Sequence, residues 1–551
     1  MEATGHASEN LAYVESRNPA TGEVIARLEA TQPGDLPSIL SRARAAQAHW
    51  EAQPVSARCA RVRRLREVLY ERRDELAASV TAETGKPQVE ALFGDVLIAL
   101  DGVEYYGRHA AGFLRDQRVP HHNIAVKAKS GKLRYEPYGI VGIIAPWNYP
   151  LAIPLGQIVP ALLAGNAVIL KCSELTPRCG ELIAECFAQA AFPGDLFQVL
   201  QGGGPVGAAL VEARPDKIVF TGSVATGRRV AEACGRLLIP CVLELGGKDA
   251  MIVLADADLE AASSAAVWGS FTNCGQACLS VERIYAERDI AQRFTELCVA
   301  KTRELKLGLG TDPENELGPM IDGQSADRIE EQIGEAVAHG AQVLCGGRRR
   351  PDLGPAYFEP TVITIMDAAN VGAANIDAAL HHTLKLLQQE TFGPVLTIVV
   401  VENAERAVTL ANDSAFGLSA SVWTHDASRA QLMAAQIRAG AVMINDVGSY
   451  FGIAEAPHGG RGLSGWGRTH ARIGLMEMVQ VKYVDVDRVP GWHKAWWFGY
   501  DSDLRESAER FIDFLYAPMW LDRWRGAAAA LRHLFHARVA RGRVVRARDG
   551  G

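Results

Sequence analysis

Short apolar runs recur along the chain and alternate with helical patterns. Four of them, AVILKCS, LFQVL, KIVFTGS and CVLELGG, lie roughly twenty to thirty residues apart, with helical stretches such as 177–191 and 225–235 between them. Strands that alternate with helices in this way form parallel sheets covered by helices. A second series of runs follows, PTVITI, PVLTIVV, SASVWT and GAVMINDV. The sequence therefore predicts an α/β protein with two such domains, preceded by a helical segment over 54–116.

Composition narrows the class of function. The chain has 551 residues, of which 48 per cent are hydrophobic, enough for a large core. Its 57 basic and 64 acidic side chains give a net charge of -7, so nucleic acid is not an expected partner. Ten cysteines without a zinc-type CxxC pair favour free thiols in a reducing compartment and no metal site. No signal peptide or long apolar run is visible, which predicts a cytoplasmic protein.

Two segments do not follow the alternation of strands and helices. Residues 366–387 are rich in Ala and Asn and are predicted to form a surface loop with a short helix. Residues 488–551 hold five of the ten tryptophans and, between Arg523 and Arg548, eight arginines. In one interpretation the aromatic side chains of this extension pack on the parent subunit or on a partner subunit. In the other they dock, together with the arginines, on an anionic membrane surface.

Three local patterns point to chemistry. The segment FTNCGQACLS places a cysteine behind a Gly-Gln turn, where its thiol can face a cleft. Glu244 follows an apolar strand run and precedes two glycines, as a general base at a strand end would. Asn148 lies in a loop between Pro146 and Pro150, a suitable place for a fixed amide donor. Taken singly, each has a structural alternative: a buried cysteine that fills space, a surface charge and a turn residue.

Together these patterns resemble the aldehyde dehydrogenase superfamily. The resemblance runs from about residue 16 to about residue 487 and includes ETGKP, PALLAGNAVILK, FTGSVATG, ELGPMID, QQETFGPV and GGRGLSGWGR. It implies an α/β fold with a Rossmann-type dinucleotide-binding domain, an α/β catalytic domain and a β oligomerisation arm. The implied boundaries are 1–124 and 139–246 for dinucleotide binding, 247–475 for catalysis, 125–138 and 476–487 for oligomerisation strands, and 488–551 for an aromatic and basic C-terminal extension.

The resemblance also implies a reaction. Cys278, rather than Cys274, matches the nucleophile, which adds to an aldehyde to give a thiohemiacetal and then, after loss of hydride to NAD, a thioester. The Asn148 amide and the Cys278 backbone N–H match the oxyanion donors, and Glu244 matches the base that activates water. A base at Glu244 argues against the rival branch that transfers the acyl group to coenzyme A. The catalytic set is Cys278, Glu244, Asn148 and Lys171.

Two glycine-rich stretches compete for the cofactor phosphates. GGGPVG follows LFQVLQ and matches G-x-G-x-x-G, but Pro205 removes a backbone donor. FTGSVATG ends a strand and opens a helix, and it matches the family's cofactor turn, so it is preferred. Glu174 matches a ribose-binding carboxylate that would repel a 2'-phosphate, so NAD is favoured, with NADP as the alternative. The implied cofactor residues are Pro146, Trp147, Lys171, Ser173, Glu174, Gly222, Ser223, Leu245, Gly246, Glu390 and Phe392.

Substrate choice is assigned to residues that the family varies, namely Tyr149, Gly156, Ala277, Leu279 and His458. For His458 the alternative is a structural histidine without contact to substrate. The small Gly156 and Ala277 predict an open tunnel, and no Arg or Lys is evident to bind a charged tail. The expected substrate is therefore an apolar aldehyde of medium or long chain, or an aromatic one. The alternatives are a semialdehyde dehydrogenase and a non-catalytic, membrane-docked binding protein. The alternation over 125–138 predicts a strand pair. Its exposed edges and those of VQVKYVDV predict a homodimer or homotetramer, and the extension predicts a peripheral membrane contact as an alternative to subunit packing.

Overall fold

A computed structural model describes residues 13–365, 378–490, 494 and 496–528. The predictions for 366–377, for Trp492 and for the arginines beyond residue 528 lie outside the described residues. Contacts divide the chain into two units. The first holds the residues up to Gln117 together with Leu133–Lys482, and the second holds Arg118–Lys132 and the residues from Tyr483 onward.

The strands of the described chain are β1 (Tyr13–Arg17), β2 (Val24–Glu29), β3 (Gln117–Val119), β4 (Lys129–Pro137), β5 (Ile140–Ile144), β6 (Ala167–Lys171), β7 (Phe197–Leu200), β8 (Lys217–Thr221), β9 (Cys241–Glu244), β10 (Asp249–Val253), β11 (Val281–Glu287), β12 (Gln342–Cys345), β13 (Thr361–Ile365), β14 (Val395–Val401), β15 (Ser419–Trp423), β16 (Ala441–Ile444), β17 (Gly465–Trp466) and β18 (Val479–Asp487).

The helices are α1 (Leu36–Glu51), α2 (Val55–Glu71), α3 (Arg73–Thr84), α4 (Gln88–Glu90), α5 (Ile98–Phe113), α6 (Ala152–Ala164), α7 (Pro177–Gln189), α8 (Gly204–Glu212), α9 (Val224–Leu237), α10 (Leu259–Phe271), α11 (Arg288–Glu304), α12 (Gly323–Ala338), α13 (Ala378–Thr383), α14 (Lys385–Gln388), α15 (Ala404–Asn412), α16 (Ala427–Gln436), α17 (Ala471–Met476) and α18 (Ser502–Tyr516). Residues 520–528 are also helical.

A six-stranded sheet forms the first layer around which helices pack. Its order is β17-β9-β8-β5-β6-β7, and the pairs from β9 to β7 are all parallel. The strands β5 and β6 are entirely buried, because helices cover both faces of a parallel sheet. From β5 the chain continues to β6 and β7 on one side and then crosses to β8 and β9 on the other. Ligands of open α/β sheets bind at such a crossing, outside the carboxyl ends of the strands.

A seven-stranded sheet has its own buried core. Its order is β12-β13-β14-β11-β10-β15-β16, and only β12 runs antiparallel to its neighbour. The α/β class predicted from the alternation of strands and helices is thus confirmed. After β16 the chain returns to the first sheet: β17, which lies within the range predicted for the catalytic domain, pairs antiparallel with β9.

The predicted strand pair at 125–138 is wrong. The segment forms one strand, β4, after a short 3-10 turn at Ile124–Val126. β4 lies in the middle of a three-stranded sheet, between β18 and β3, so the two segments expected to offer separate open edges share one sheet. The strand expected at VQVKYVDV is present as β18, and it lies at the edge of this sheet.

The segment 366–387 was expected to be a surface loop, but its described part enters the core. The ring of His381 in α13 is fully buried, and its nitrogens contact the Tyr285 hydroxyl at 2.8 Å and the Asp413 carboxylate at 2.9 Å. Leu386 and Leu387 in α14 are also fully buried. The predicted short helix exists, and its apolar side chains anchor the end of the insertion.

The described tryptophans of the C-terminal extension keep about half or more of their surface exposed. Trp496 and Trp497 are about half exposed, and Trp520 and Trp524 are 67 and 70 per cent exposed. Fuller packing on the parent subunit or on a partner subunit therefore stays a prediction, as does contact with a membrane. In the part of the chain that the structure describes, no helix is both long and apolar enough to cross a bilayer.

A buried ion pair holds the loop that follows β5. Lys86, just after α3, and Asp95, before α5, have fully buried side chains, and their charged atoms lie 3.0 Å apart. The Lys86 ammonium also donates to the Asn148 carbonyl at 2.6 Å. The other Asp95 oxygen accepts the backbone N–H groups of Leu151 and Ala152. One pair thus fixes both the loop after β5 and the first turn of α6.

A second buried pair performs the same task for the loop before β14. Lys248 contacts the Glu282 carboxylate and donates to the Thr391 hydroxyl at 2.9 Å. The Glu282 carboxylate accepts the backbone N–H groups of Thr391 and Phe392. Each of these two loops is therefore held by one buried lysine and one buried carboxylate.

We predict that Asp95→Asn lowers the free energy of unfolding by about 3 to 5 kcal/mol, because it leaves the Lys86 charge buried and uncompensated. Denaturant titration measures the change. The matched control is Glu67→Gln, which removes an exposed partner of Arg64 and should cost less than about 0.5 kcal/mol. Equal stabilities of the two variants would contradict this role of the buried pair.

Candidate active site

The carboxyl edge of the six-stranded sheet collects most of the residues predicted for the site. Pro146, Trp147 and Asn148 follow β5. Lys171 ends β6, and Ser173 and Glu174 follow it. Gly222 and Ser223 follow β8, while Glu244 ends β9 and is followed by Leu245 and Gly246. Because these strands are parallel and adjacent, their ends meet in one cleft. Topology alone thus brings together residues that are about a hundred positions apart in sequence.

The cysteine segment between α10 and β11 has an unusual backbone. Asn273, Cys274 and Gly275 have φ angles of 51°, 56° and 69°, all in the left-handed region. Gly275 is required, because a Cβ there would lie 2.1 Å from the Gly393 carbonyl oxygen. Glu90 accepts the Asn273 backbone N–H at 2.9 Å. The strained turn is therefore held from outside, as expected where a segment must present one side chain.

The predicted amide donor and the cysteine segment are directly bonded. The Asn148 side chain donates to the Gln276 carbonyl at 3.0 Å, and the Asn148 carbonyl accepts the Asn273 side-chain amide at 3.1 Å. The Gln276 side chain in turn accepts the Ile321 backbone N–H at 2.8 Å. Asn148 uses one amide hydrogen in this network, so its second hydrogen remains available to an oxyanion.

The two cysteines of the segment differ in exposure. Cys274 is buried, whereas Cys278 is half-buried at the wall of the cleft. Burial raises the pKa of the Cys278 thiol, and the nearby carboxylates of Asp249, Glu390 and Glu244 raise it further. Cys278 is thus the thiol within electrostatic reach of Glu244.

Glu244 is a buried carboxyl group without a hydrogen bond. Neither carboxyl oxygen has a partner among the described residues, and burial raises its pKa well above the usual value. The imidazole of His458 approaches the carboxyl group, with Nε2 3.7 Å from Oε2. A carboxyl group kept in an apolar site and free of strong partners is suited to proton transfer.

The residues expected to bind a dinucleotide fit that group chemically. Lys171 is buried, and its ammonium donates to the half-exposed Glu174 carboxylate at 2.8 Å, which places a polar pair next to the sheet edge. Ser223 begins the 14-residue helix α9 and accepts the Thr226 N–H, so a helix N-terminus that can bind phosphate opens on the same edge. The competing GGGPVG stretch follows β7 and also borders this edge, because a Cβ on Gly203 would lie 3.8 Å from Glu174 Oε1.

The loop before β14 closes the other side of the cleft. The Glu390 carboxylate accepts the Gly247 N–H at 3.1 Å, and a Cβ on Gly246 would lie 2.3 Å from it. Burial raises the pKa of Glu390 to about 8, and Glu282 adds to this shift. The Phe392 ring meets Trp147 edge to face, with centroids 5.7 Å apart. These contacts connect the loop before β14 with the loops that follow β5 and β9.

The predicted substrate residues lie around an aromatic cluster. The Lys86 ammonium lies 4.0 Å from the centre of the Tyr149 ring, and Ala277 is buried while Leu279 is partly exposed. Gly156 borders a buried histidine, since a Cβ there would lie 3.1 Å from His470 Nε2. Gly156 and His470 also line the small cavity described next, so the open tunnel inferred from the small Gly156 stays a prediction.

A small cavity lies against this cluster. Its polar side chains among the described residues are Asp101, Tyr106 and His470, and Phe451 contributes a ring. Burial raises the pKa of Asp101, and Glu455 and Glu104 raise it further. The other lining residues are Ile98, Ala99, Gly102, Val103, Ala152, Gly156, Gly452 and Ala454.

Sequence reasoning missed the residues that support the site. Lys86 lies in ETGKP, and the sequence analysis gave it no role. A lysine in an apolar setting between glycine and proline could have indicated a buried charge. Asp95 and Glu90 carried no local pattern, since their partners are distant in sequence. Tyr450 and His470 become part of the site because β17 pairs with β9, which brings the loops on either side of β17 close to Glu244. Among the described residues, no cluster of three or more His, Cys, Asp or Glu side chains could hold a metal ion.

Comparisons with known proteins agree with this geometry. A model of the aldehyde dehydrogenase family matches residues 6–484. A protein of Methylomonas sp. named 4,4'-diapolycopene aldehyde oxidase is 36% identical over 91% of this chain and 90% of its own length. A Mycobacterium ulcerans protein, provisionally named succinate-semialdehyde dehydrogenase (NADP(+)), is 37% identical over 85% of this chain and 88% of its own.

Solved structures show the same fold. The crystal structure of an NAD-dependent aldehyde dehydrogenase from Sinorhizobium meliloti superposes with a TM-score of 0.81 at 32% identity, covering 88% of this chain and 93% of that one. The arrangement predicted by resemblance, a Rossmann-type sheet joined to a second α/β sheet, is therefore confirmed. The family match spans most of the sequence, and relatives that cover most of it exceed 30% identity. The chain belongs to the aldehyde dehydrogenase family.

Proposed function

We propose that this protein oxidises an apolar aldehyde to its carboxylate with NAD as the hydride acceptor. One aldehyde, one NAD and one water give one carboxylate, one NADH and two protons. The observation that carries the proposal is the convergence of Asn148, Glu244 and Cys278 on one cleft, from the ends of two parallel strands and from the turn before β11.

In the proposed reaction, the Cys278 thiol loses its proton to solvent, the resulting thiolate attacks the aldehyde carbon, and the carbonyl electron pair moves to oxygen. The free amide hydrogen of Asn148 and the Cys278 backbone N–H stabilise this oxyanion. NAD, when bound, supplies the hydride acceptor for oxidation to the thioester. Water then adds to the thioester carbon, Glu244 takes its proton, and the carbon–sulfur bond breaks to release the carboxylate. The unbonded, buried Glu244 carboxyl supports this last assignment.

The choice of NAD over NADP rests on Glu174. Its carboxylate would repel a 2'-phosphate, and it already engages the Lys171 ammonium that would otherwise attract one. The proposed cofactor contacts are Lys171 and Glu174 for the ribose, Gly222 and Ser223 for the pyrophosphate, and Glu390 and Phe392 for the nicotinamide ribose and ring. Relatives named for either cofactor match the chain, which keeps NADP as the alternative.

An apolar substrate is favoured by the cavity beside His470. Its described lining contains no lysine or arginine, and Asp101 carries the only formal charge there. With Glu455 and Glu104 nearby, this side of the site is negative, which opposes a substrate with a carboxylate tail. The relative named for a diapolycopene aldehyde supports the apolar reading, whereas the relatives named for succinate semialdehyde support the alternative.

Assembly into a homodimer or homotetramer is part of the proposal. The edge strand β18 exposes Val481, Tyr483 and Val486, each about half exposed. An exposed edge with apolar side chains is a natural site for pairing with a second copy.

Peripheral membrane contact is a second candidate property, supported by the exposed aromatics of the extension. Phe498 and Tyr500 are 88 and 65 per cent exposed, in addition to the tryptophans described above. Trp and Tyr favour the interface of a bilayer, and the eight arginines between residues 523 and 548 would add attraction to anionic lipid. Contact with lipid would place the enzyme near apolar aldehydes.

We predict that NAD reduction accelerates as saturated aldehydes lengthen, and that Cys278→Ala lowers the rate by at least about a thousandfold because it removes the nucleophile. Initial rates of NADH formation measure both effects. Cys274→Ala is the matched control and should retain activity, since Cys274 is buried in the turn. Faster turnover of succinate semialdehyde than of an apolar aldehyde of equal length would overturn the substrate assignment.

For the cofactor, we predict that Glu174→Gln raises kcat/KM for NADP relative to NAD roughly fivefold, the effect of removing about 1 kcal/mol of repulsion at a half-exposed site. The control is Glu212→Gln, an exposed carboxylate paired with Arg236. An unchanged NADP to NAD ratio in Glu174→Gln would refute the role given to this carboxylate.

For the extension, we predict that the full chain co-sediments at low salt with vesicles that contain anionic lipid, and that the replacement of Trp520 and Trp524 by serine weakens this binding. Neutral vesicles serve as the control for charge. Absence of sedimentation with anionic vesicles would leave subunit contact as the function of the aromatic surface.

A further inference from the structure

The surroundings of Glu244 contain one polar side chain whose role the reaction above leaves open. His458 lies in the loop before β17, with Nε2 3.7 Å from Glu244 Oε2. Both side chains are nearly inaccessible, with exposures of 5 per cent for His458 and 3 per cent for Glu244. Since neither Glu244 oxygen has a hydrogen bond among the described residues, this imidazole is positioned to supply one after a small movement.

His458 is itself held firmly. Its backbone exchanges two hydrogen bonds with Thr469, at 2.9 and 2.8 Å, and its Nδ1 lies 3.0 Å from the Tyr450 hydroxyl. The Phe451 ring meets it at 5.0 Å, edge to face, and the His470 ring lies 5.8 Å away. A ring fixed on three sides keeps Nε2 directed toward the carboxyl group.

The protonation state of this ring follows from its setting. Burial lowers the pKa of His458 to about 3, and His470 and Arg468 contribute to the decrease. Burial also raises the pKa of Tyr450, so its hydroxyl keeps its proton. A neutral imidazole carries one N–H, and a Tyr450 hydroxyl that donates to Nδ1 puts that N–H on Nε2. The donor then faces Glu244.

We propose that His458 is a positioning residue for Glu244: the Tyr450 hydroxyl fixes the imidazole with its N–H on Nε2, and this N–H orients the Glu244 carboxylate and stabilises its ionised form. This inference rests on the proposed function, since it assigns a partner to the base of that reaction. It gives His458 a role other than the lining of a substrate tunnel or a purely structural one.

Other charged groups near Glu244 do not take this place. Arg468 lowers the pKa of Glu244 by its charge, but its guanidinium donates to the carbonyls of Gly460 and Gly467. Glu477 acts in the opposite direction and raises the pKa. The Cys278 thiol is neutral until it reacts. A donor from His458 is thus the contact that can offset the cost of burying the Glu244 charge.

The two halves of the reaction separate this role from a general structural one. Formation of the thioester requires Cys278 and the oxyanion donors, and the Glu244 base enters when water attacks that thioester. In that step a water O–H bond breaks, its proton passes to Glu244, a carbon–oxygen bond forms, and sulfur leaves with the carbon–sulfur electron pair. Loss of the His458 N–H should therefore slow hydrolysis and leave the first turnover intact.

The test is His458→Phe, which keeps an aromatic ring and removes the N–H. Stopped-flow measurement of NADH should show a first-turnover burst within about twofold of the original, while the steady-state kcat falls about tenfold, as for other residues that orient a reacting group. The acid limb of the kcat profile should move to higher pH by about one unit, because the Glu244 pKa rises when its donor is lost. Tyr450→Phe should cause a smaller shift in the same direction.

His458→Gln, which restores a donor, should recover part of kcat. His339→Phe, on the exposed face at the end of α12, is the matched control and should leave both phases unchanged. An unshifted acid limb in both His458→Phe and Tyr450→Phe overturns the inference, and so does loss of the burst together with kcat. Glu244→Gln separates the two proposals. If it hydrolyses the thioester normally, the proposed base is wrong; if it stalls after the burst while His458→Phe does not slow, only the role of His458 fails.

Discussion

Two buried lysine–carboxylate pairs determine where the site can form. Lys86 with Asp95 holds the loop that carries Asn148, and Lys248 with Glu282 holds the loop that carries Phe392. A buried charge is costly unless its hydrogen-bonding positions are used, and here the further contacts of both pairs engage the site loops, through backbone groups and the Thr391 hydroxyl. The requirement to satisfy these charges therefore sets loop positions more tightly than apolar packing alone would.

The cleft combines a strained turn with a carboxyl group that has no hydrogen-bond partner among the described residues. The left-handed run from Asn273 to Gly275 is held by Glu90, Asn148 and Gln276, so its conformation is imposed by partners rather than by local preference. Glu244 shows the reverse arrangement, because its carboxyl group is buried and accepts no hydrogen bond from the residues that the structure describes. A fixed nucleophile segment beside a carboxyl group of raised pKa suits a reaction in which a covalent intermediate must later be opened by water.

Local patterns predicted much of this architecture. The alternation of strands and helices predicted the α/β class, and the turn residues after β5, β6, β8 and β9 predicted which side chains would stand at the sheet edge. The strand pair at 125–138 was wrong, because alternation of polar and apolar residues cannot show where one strand ends and a 3-10 turn begins. The inserted segment was placed at the surface, although His381 binds Tyr285 and Asp413 inside the core. Contacts of that kind join distant residues and leave no local pattern.

By itself, the sequence determined the strand and helix rhythm, the family and the identities of Asn148, Glu244 and Cys278 as the candidate reacting groups. These conclusions follow from the types and the order of the residues, because local patterns indicate secondary structure and family motifs directly. Only the tertiary structure decided that Gly156 makes room for His470 and that the Lys86 ammonium binds the Asn148 carbonyl. It also decided that Glu244 and His458 meet, through the antiparallel pairing of β17 with β9. The physical reason is that burial and hydrogen-bond satisfaction depend on neighbours in space, which sequence order does not specify.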